Sequence, residues 1–484
     1  MNEIDKTIIK KLAERVAELG GRAYFVGGIV RDEVMGRPIK DVDIEVHGIS
    51  EIVLEEVLKE LGKPLRFGSA FGVYSLAGHQ IDIALPRSER KAGNGHRDFE
   101  IEIDPFIGIK EAARRRDFTM NALLKDILSG EIADPYGGTE DIENRIIRHI
   151  DDEKFGEDPL RALRAAQFRS RFGFQVAPST ISICRALDLR NLSAERVEME
   201  MKKALLESHR PSEFFECLRE MGQLGYWFQD LEQLIGLEQN PAFHPEGDVW
   251  THTMMVLDRA ARFRPCVSDP YAFMLLALTH DLGKITTTEF VNGAIHAYGH
   301  ELQGAEIAER FLNRICHGSD IKKYIANMIP NHMRPNKIAE ARSSVKKTNR
   351  MFDDAIAPSD LIYFAICDKP KLPHLDAHNL SQASIEPHET QGNIEIESEL
   401  YTAAEKLREQ ERIKFLFDRL DLYRDMMARS YVTGKDLIDR GIMPGDDFGT
   451  ILEYAHKLRL AGVSKDDALK QTLSYARKLR KNIK

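Results

Sequence analysis

YFVGGIVRDEVMGRPIKDVDIEVHG, residues 24–48, decides how the chain is read. Tyr24 to Val26 is a short β-type run that stops at Gly27-Gly28, where two missing Cβ atoms let a backbone turn come close to a ligand phosphate. Arg31 falls one turn into a helix, which Gly36-Arg37-Pro38 breaks. The chain re-enters a strand at Asp41-Val42-Asp43-Ile44-Glu45-Val46, whose alternation puts Asp41, Asp43 and Glu45 on one side and Val42, Ile44 and Val46 on the other. Two carboxylates two residues apart on a strand can both reach a pair of Mg²⁺ ions. Alone, a glycine pair is a turn, and an acid/apolar alternation is a half-buried strand with a wet face. Together, with a second acidic strand at Gln80–Leu85 that offers Asp82 as a third ligand, they describe a phosphoryl-transfer site of hard oxygen ligands.

With 484 residues the chain is too long for one core, and three or four domains are expected. It is 43% hydrophobic and 30% charged, the balance of an ordinary soluble protein. A net charge of −9 does not exclude a nucleic-acid partner, because a basic groove coexists with an acidic remainder and only the local field counts. Met1 to Gly20 reads as a charged amphipathic helix with Ile4, Ile8, Leu12, Val16 and Leu19 in one stripe, not as a signal peptide. No apolar run approaches the length of a membrane span. The five cysteines are far apart with no CxxC pair, which fits a reducing cytoplasm and argues against a zinc thiolate site.

From residue 20 to about 150 short strands alternate with helices and turns: a helix at Ser50–Leu61, a hairpin across Ala77-Gly78-His79, and a polar loop at Lys91–His96. Arg114-Arg115-Arg116 on its own serves equally well as a solvated face. Here it precedes Asp117-Phe118-Thr119-Met120-Asn121, hydrogen-bonding types suited to a ribose and a triphosphate, and arginine supplies the planar fork that phosphate oxygens accept. Asp134-Pro135-Tyr136-Gly137-Gly138 is a turn that closes this α/β domain. Past Asp151 the strand signals vanish. A helix beginning near Glu157-Asp158-Pro159 spaces Asp158, Arg161 and Arg164 by three, on one face. Such spacing gives a surface ion pair, or a carboxylate and a guanidinium that present an acceptor and donors to a base edge without a nucleic-acid template.

GGIVRD at 27–32, DVD at 41–43, RRDFTMNAL at 115–123, DPYGG at 134–138 and EDPLRALRAAQF at 157–168 resemble the ordered motifs of class II tRNA nucleotidyltransferases, the CCA-adding enzymes and their poly(A) polymerase relatives. The resemblance covers about the first half of the chain. It implies a polymerase-β-type nucleotidyltransferase head and a helical neck, with tRNA, CTP, ATP and Mg²⁺ as partners. It further implies Asp41 and Asp43 as metal ligands and Asp82 as the third carboxylate. Gly28 and Arg31 would lie at the triphosphate, and Arg116, Asp117 and Asn121 near the triphosphate and ribose. Asp158 and Arg161 would read the base, with Arg164 behind them. Ala194–Glu198 resembles the last neck motif, with a structural role.

In the second half, His252 lies in Thr251–Met255, and Leu278-Thr279-His280-Asp281-Leu282-Gly283-Lys284 follows the apolar run Ala272–Ala277. A lone helical histidine is ordinarily a satisfied core residue, but imidazoles and a carboxylate together bind a divalent ion and leave positions open for water. These residues resemble the HD phosphohydrolase superfamily, which implies a metal set of His252, His280, Asp281 and Asp368. His300 and His332 would be contacts to a second metal or to phosphate. Residues 370–395, with Pro370, Pro373 and Pro387, read as a linker. Helices resume near Glu397 and end in the basic Tyr475–Lys481, either an RNA-gripping patch or a solvated helix end.

The expected architecture is α+β and mostly α: head 1–150, base-selecting neck 151–235, HD domain 236–385 and helical tail 386–484 with possible tRNA contacts. The expected activity is CCA addition to tRNA by a cytoplasmic enzyme with no membrane or obligate protein partner, a second divalent metal, and phosphohydrolysis at the HD site. The nearest rivals are an A-adding or CC-adding enzyme or a poly(A) polymerase, since base choice and stopping depend on the loop from Lys91 to Asp98 and on how neck and tail measure the RNA. More distant is an HD phosphohydrolase with a regulatory nucleotidyltransferase domain. A non-catalytic RNA-binding protein would not need Asp41, Asp43 and Asp82 together.

Overall fold

The computed structural model describes residues 3–39, 41–67, 72–91, 99–369 and 403–481, which divide between two compact units, Met1–Gln229 and Asp230–Lys484. The first unit opens with helix α1 (Glu3–Glu18), strand β1 (Arg22–Val26), α2 (Gly28–Val34), β2 (Asp43–His47) and α3 (Glu51–Leu61). Then come β3 (Pro64–Phe67), β4 (Val73–Leu76), β5 (Asp82–Ala84), an antiparallel ribbon of β6 (Arg87–Lys91) and β7 (Phe99–Ile103), α4 (Ile109–Arg114), β8 (Leu124–Asp126) and β9 (Ile132–Ala133). A seven-stranded mixed sheet in the order β3-β4-β5-β2-β1-β8-β9 puts β1 and β2 in its interior. β2 and β5 run parallel, and their register sets Asp43 beside Asp82. β4 and β5 pair antiparallel across the predicted hairpin, and Ser50 caps α3, its hydroxyl accepting from the Val53 amide.

Two local expectations change. The buried face of α1 is Ile9, Leu12, Ala13 and Val16, while Ile4 and Leu19 are exposed at 66% and 44%; the helix is rotated from the predicted stripe because α3 and β1 cover it from one side. The strand begins at Asp43 rather than Asp41, and Glu45, expected on a wet face, is buried. An interior strand is covered on both faces once the chain passes its open end, so alternation there no longer separates wet from dry.

α5 (Gly138–Glu143), β10 (Ile146–Ile147) and α6 (Asp152–Gly156) lead into α7 (Leu160–Phe172), then β11 (Gln175–Val176), α8 (Pro178–Ala186), α9 (Ala194–Glu207) and α10 (Ser212–Glu220). β10 and β11 form a parallel pair, and the second unit contains a hairpin of Thr288–Val291 with Ala294–Ala297, so strands do occur beyond residue 151. At two to four residues each, they are too short for alternation to register in sequence. α7 buries Ala162, Leu163, Ala165, Ala166 and Phe168 and packs on α9 and α10, its small side chains allowing close approach. Fully buried Phe118 meets Phe155 and Phe168 edge-on at 5.6 and 5.7 Å, tying the segment after α4 to α7.

In the second unit the helix Pro270–Thr279 is buried from Tyr271 to Thr279, the all-round apolar pattern of a central helix, and contacts Val249–Phe263, Ser319–Asn331 and Pro358–Cys367. Helices Ala403–Ala428, Phe448–Leu460 and Lys465–Lys481 carry the chain onward, with Leu437, Ile442, Ile451, Leu469 and Ala476 forming a small core. Most of the predicted polar loop, Ala92 to Asp98, and the predicted linker with Pro370, Pro373 and Pro387 lie outside the described residues. No described helix is long and apolar enough to cross a membrane.

A Cβ on Gly138 would stand 2.2 Å from the Thr119 carbonyl oxygen, whereas one on Gly156 meets nothing within 4 Å. Gly138→Ala is therefore expected to destabilise the first unit by about 1–3 kcal/mol, read as a lower urea midpoint, with Gly156→Ala near neutral.

Candidate active sites

In the first unit the sheet register builds the floor of the site. Asp43 and Asp82 are laterally paired neighbours, the Asp82 amide donates to the Val42 carbonyl at 2.9 Å, and Asp41 lies exposed just ahead of β2. The Asp43 carboxyl is raised above its ordinary value by surrounding protein, then by the charges of Asp82 and Asp41, with Arg116 opposing. Asp43, crowded by two neighbouring carboxylates, belongs to a set of hard oxygen donors, and that chemistry suits Mg²⁺.

Above this floor, β1 ends at Gly27, whose φ of +71° and confined Cβ position both call for glycine: a Cβ would stand 2.7 Å from Arg116 Nη1. Arg116 donates to the Asn121 carbonyl at 3.3 Å. Arg31 is buried at 7% exposure; it donates to Asp32 and, through Nη1, to Asn121 Oδ1 at 2.8 Å, with its guanidinium over the rings of Phe168 and Phe172. Gly28 stands next to it, its would-be Cβ 3.7 Å from Arg31 Nη2. Asn121 donates in turn to Asp117 Oδ1 at 2.8 Å, and Arg164 donates to Asp117 Oδ2 at 2.6 Å. Burial opposes the Asp117 charge, but Arg164 and the Asn121 amide outweigh it and hold its carboxyl low.

The spaced trio on the neck does not form an internal pair. Asp158 accepts from Arg196 at 2.9 Å, while Arg161 donates to the carbonyls of Lys154 and Arg115 at 2.7 and 2.6 Å. Arg164 turns to Asp117, with Glu200 4.0 Å away. Arg196, expected to be structural, thus reaches the Asp158 carboxylate, because α9 lies against α7.

The second unit gathers its predicted histidines and aspartates. His252 Nε2 lies 3.1 Å from Asp368 Oδ1 and 3.7 Å from Asp281 Oδ2, and His280 Nε2 lies 3.2 Å from Asp281 Oδ2 and 3.4 Å from Asp368 Oδ1. Ligands each about 2.1 Å from one ion stand about 3.0–3.4 Å apart, so this spacing suits a shared metal. His300 Nε2 is 3.5 Å from Asp281 Oδ1 and 3.4 Å from His332 Nε2, which makes Asp281 common to both groups. The Nδ1 atoms of His280, His300 and His332 bond to the carbonyls of Ala277, Ala297 and Ile329, leaving every Nε2 to the centre. His280 Nε2 and Asp281 Oδ2 are buried without a well-formed hydrogen bond, although Lys284 Nζ ion-pairs with Asp281 Oδ2 at 2.8 Å. Burial pulls His280 down, but the charges of Asp281 and Asp368 reverse this and hold it at about 10, while burial lowers His332 to about 4. These residues fit a divalent metal.

The profile of the Poly A polymerase head domain matches residues 23–148 and that of the HD domain matches residues 249–422. The multifunctional CCA protein of Actinobacillus pleuropneumoniae serotype 5b (strain L20) is 37% identical over 327 residues, 66% of this chain and 77% of that protein. This chain belongs to the multifunctional CCA protein family. The family member from Aromatoleum aromaticum is 39% identical over 300 residues, 61% of this chain and 70% of its own. The fold is that of the Thermotoga maritima CCA-adding enzyme complexed with tRNA(CCA), with a TM-score of 0.62 at 19% identity, covering 98% of this chain and 96% of that one. A CCA-adding enzyme complexed with ATP gives a TM-score of 0.64 at 18% identity over 99% and 95%.

Several groups at these sites carry no clear signal in the sequence. Glu45 and His47 sit on β2, Glu45 facing Arg115 and Arg116, and Glu246 accepts from His252 Nδ1 at 2.7 Å and His244 Nδ1 at 2.9 Å. Gln239 accepts from Lys284. In the sequence Glu246 belongs to a His-Pro-Glu run that begins eight residues before His252, and Lys284 stands three residues after Asp281.

Burial alone would raise Glu45; the His47 ring and the charges of Arg116 and Arg115 outweigh it and bring it down to about 2. Glu45 and Asp117 therefore bind protons less readily folded than unfolded. Their contribution is complete above the ordinary carboxylate pKa of about 4.3 and is lost as pH falls through the lowered values, for Glu45 about 3 kcal/mol in all. Urea midpoints of the first unit should drop steeply below about pH 4, and Glu45→Gln should flatten that drop.

Proposed function

We propose that this chain adds CMP, CMP and AMP to the 3′ end of tRNA from CTP and ATP, without a nucleic-acid template, and hydrolyses phosphate esters at a separate HD centre. In this reading residues 1–150 are the head, 151–235 the neck, 236–385 the HD domain and 386–484 a helical tail. The observation that carries it is the β2/β5 register, which sets Asp43 beside Asp82 at the Gly27-Gly28 turn.

Asp41, Asp43 and Asp82 would hold Mg²⁺, which supplies charge for the triphosphate and an acidified ribose hydroxyl. Arg116, beside Gly27, offers its fork to phosphate oxygens. Arg31, itself below the surface, fixes the Asn121 amide whose other end is set by Asp117. Asp158 and Arg161 choose the base. Cytosine and adenine each present an exocyclic amine donor next to a ring-nitrogen acceptor, whereas uracil and guanine present a carbonyl next to an N–H. A carboxylate acceptor beside a guanidinium donor matches the first pair and opposes the second. The contacts from Arg196 to Asp158, and from Arg161 to two backbone carbonyls, hold acceptor and donor in fixed planes.

At the HD centre His252, His280 and Asp281, with Asp368 beside both histidines, would hold one divalent ion, and Asp281, His300 and His332 a second, supplying Lewis acidity toward a phosphate ester. Glu246 fixes the His252 ring, and Lys284 adds a cation at the same carboxylate.

Purified chain incubated with tRNA lacking its 3′ CCA should incorporate label from both CTP and ATP and stop after three additions. Label from ATP alone would move the protein to the A-adding or poly(A) class. Asp43→Asn should lower addition roughly 100-fold or more and leave hydrolysis of 2′,3′-cyclic AMP intact, and Asp281→Asn should do the reverse. Loss of both activities from either change would refute two centres. A Cβ on Gly283 would stand 1.9 Å from the His300 carbonyl, so Gly283→Ala should also weaken hydrolysis selectively, with addition as the internal control.

A further inference from the structure

Strand β2 carries Asp43 at its open end and, two residues on, an acid that is 2% exposed: Glu45. Alternation puts both side chains on one side with Cα atoms roughly 6.6 Å apart, so an uncompensated Glu45 would add to the repulsion already present among Asp41, Asp43 and Asp82. Burying a carboxylate there is costly unless it is paired. Its partners are His47, with Nε2 2.9 Å from Oε1, and two arginines, with Arg115 Nη2 3.6 Å and Arg116 Nη2 3.7 Å from Oε2. His47 is itself buried and packs edge-on against Tyr24 of β1 at 5.4 Å, so the Glu45 carboxylate is held from the sheet side.

Arg116 therefore has two acidic attractors. One is Glu45, 3.7 Å from Nη2; the other is the Asp43 carboxylate, whose ionisation the Arg116 charge favours. The guanidinium stays at Gly27, with Nη1 toward the Asn121 carbonyl and Nη2 toward Glu45. We propose that Glu45 is a positioning residue for nucleotide addition: it tethers Arg116 at the Gly27 turn, presented to the incoming triphosphate and held back from the carboxylates of Asp43 and Asp82. The tether leaves those carboxylates free for a cation, and it sets the direction of the fork that meets the phosphates. It rests on the nucleotide-addition reading above.

Glu45→Gln keeps the shape and removes the charge. It should raise KM for CTP and for ATP roughly 10-fold with kcat changed less than about threefold, because the lost interaction is one made to the bound nucleotide before the chemical step. Calorimetric CTP binding in the absence of turnover should weaken by the same factor. Glu45→Asp should recover part of the loss. In an Arg116→Ala background, Glu45→Gln should add less than about twofold, since a tether has no effect once its load is gone. If Glu45→Gln does not fold, the Glu45→Asp variant carries the same cycle, with a rise of about two- to fivefold that vanishes beside Arg116→Ala. An unchanged KM and CTP affinity in the folded variant, or a full additive loss in the Arg116→Ala background, overturns the tether while leaving nucleotide addition standing. A wild-type chain that incorporates neither CMP nor AMP overturns the addition reading instead.

Discussion

Carboxylates crowded at the open end of a parallel strand pair repel one another, and the first unit is arranged around that repulsion. β2 and β5 are adjacent and in register, so Asp43 and Asp82 cannot separate without breaking the ladder. Asp43 responds by resisting ionisation. The surrounding cations are distributed so as not to quench the cluster from within the protein. Arg31 is committed to Asp32 and Asn121, Arg164 to Asp117, and Arg116 is shared with Glu45. An arginine satisfied elsewhere leaves the acidic floor to an exogenous cation, which is what a site for a polyanionic substrate requires.

The second unit solves the same problem in the opposite medium. Its acids are buried with histidines rather than exposed beside arginines, and each histidine spends Nδ1 on a backbone carbonyl or on Glu246. Spending Nδ1 in this way orients each ring and leaves Nε2 as the atom that faces the common centre. The Gly283 backbone presses on the start of the helix His300–Ile315 so closely that no side chain fits, which brings His280-Asp281 and His300 to one point from two helices.

What the sequence made legible followed from how local each signal was. The Gly-Gly turn, the hairpin at Gly78 and the helix at Ser50 are encoded within a few residues and fall where read, and the two acidic strands form within the stretches read for them but begin two residues later, at Asp43 and Asp82. Glu45 was misplaced because alternation reports a strand's own faces and not what its neighbours lay over them; the cover comes from Arg115 and Arg116, some seventy residues away. The link from Arg196 to Asp158 was invisible for the same reason, since it exists only because α9 lies on α7. In the second unit the histidines stood out by type and by the adjacent His-Asp, whereas Glu246 acts through a ring it touches and leaves no spacing signature.

Base choice without a template makes a further mechanical demand. A template holds its complementary edge rigid by stacking; a protein must do so with side chains that have rotatable bonds. In this chain the guanidinium of Arg161 is pinned by two carbonyls on different elements, Lys154 of α6 and Arg115 beside α4. The Arg115 side chain in turn faces Glu45 on β2, so the plane of the Arg161 guanidinium is referenced to the strand that carries Asp43. Phe118, wedged against Phe155 and Phe168, closes the same loop through the core. Arg161 and Asp43 are thereby fixed to one frame, and α7 cannot drift without opening a buried aromatic contact and two charge-assisted hydrogen bonds together.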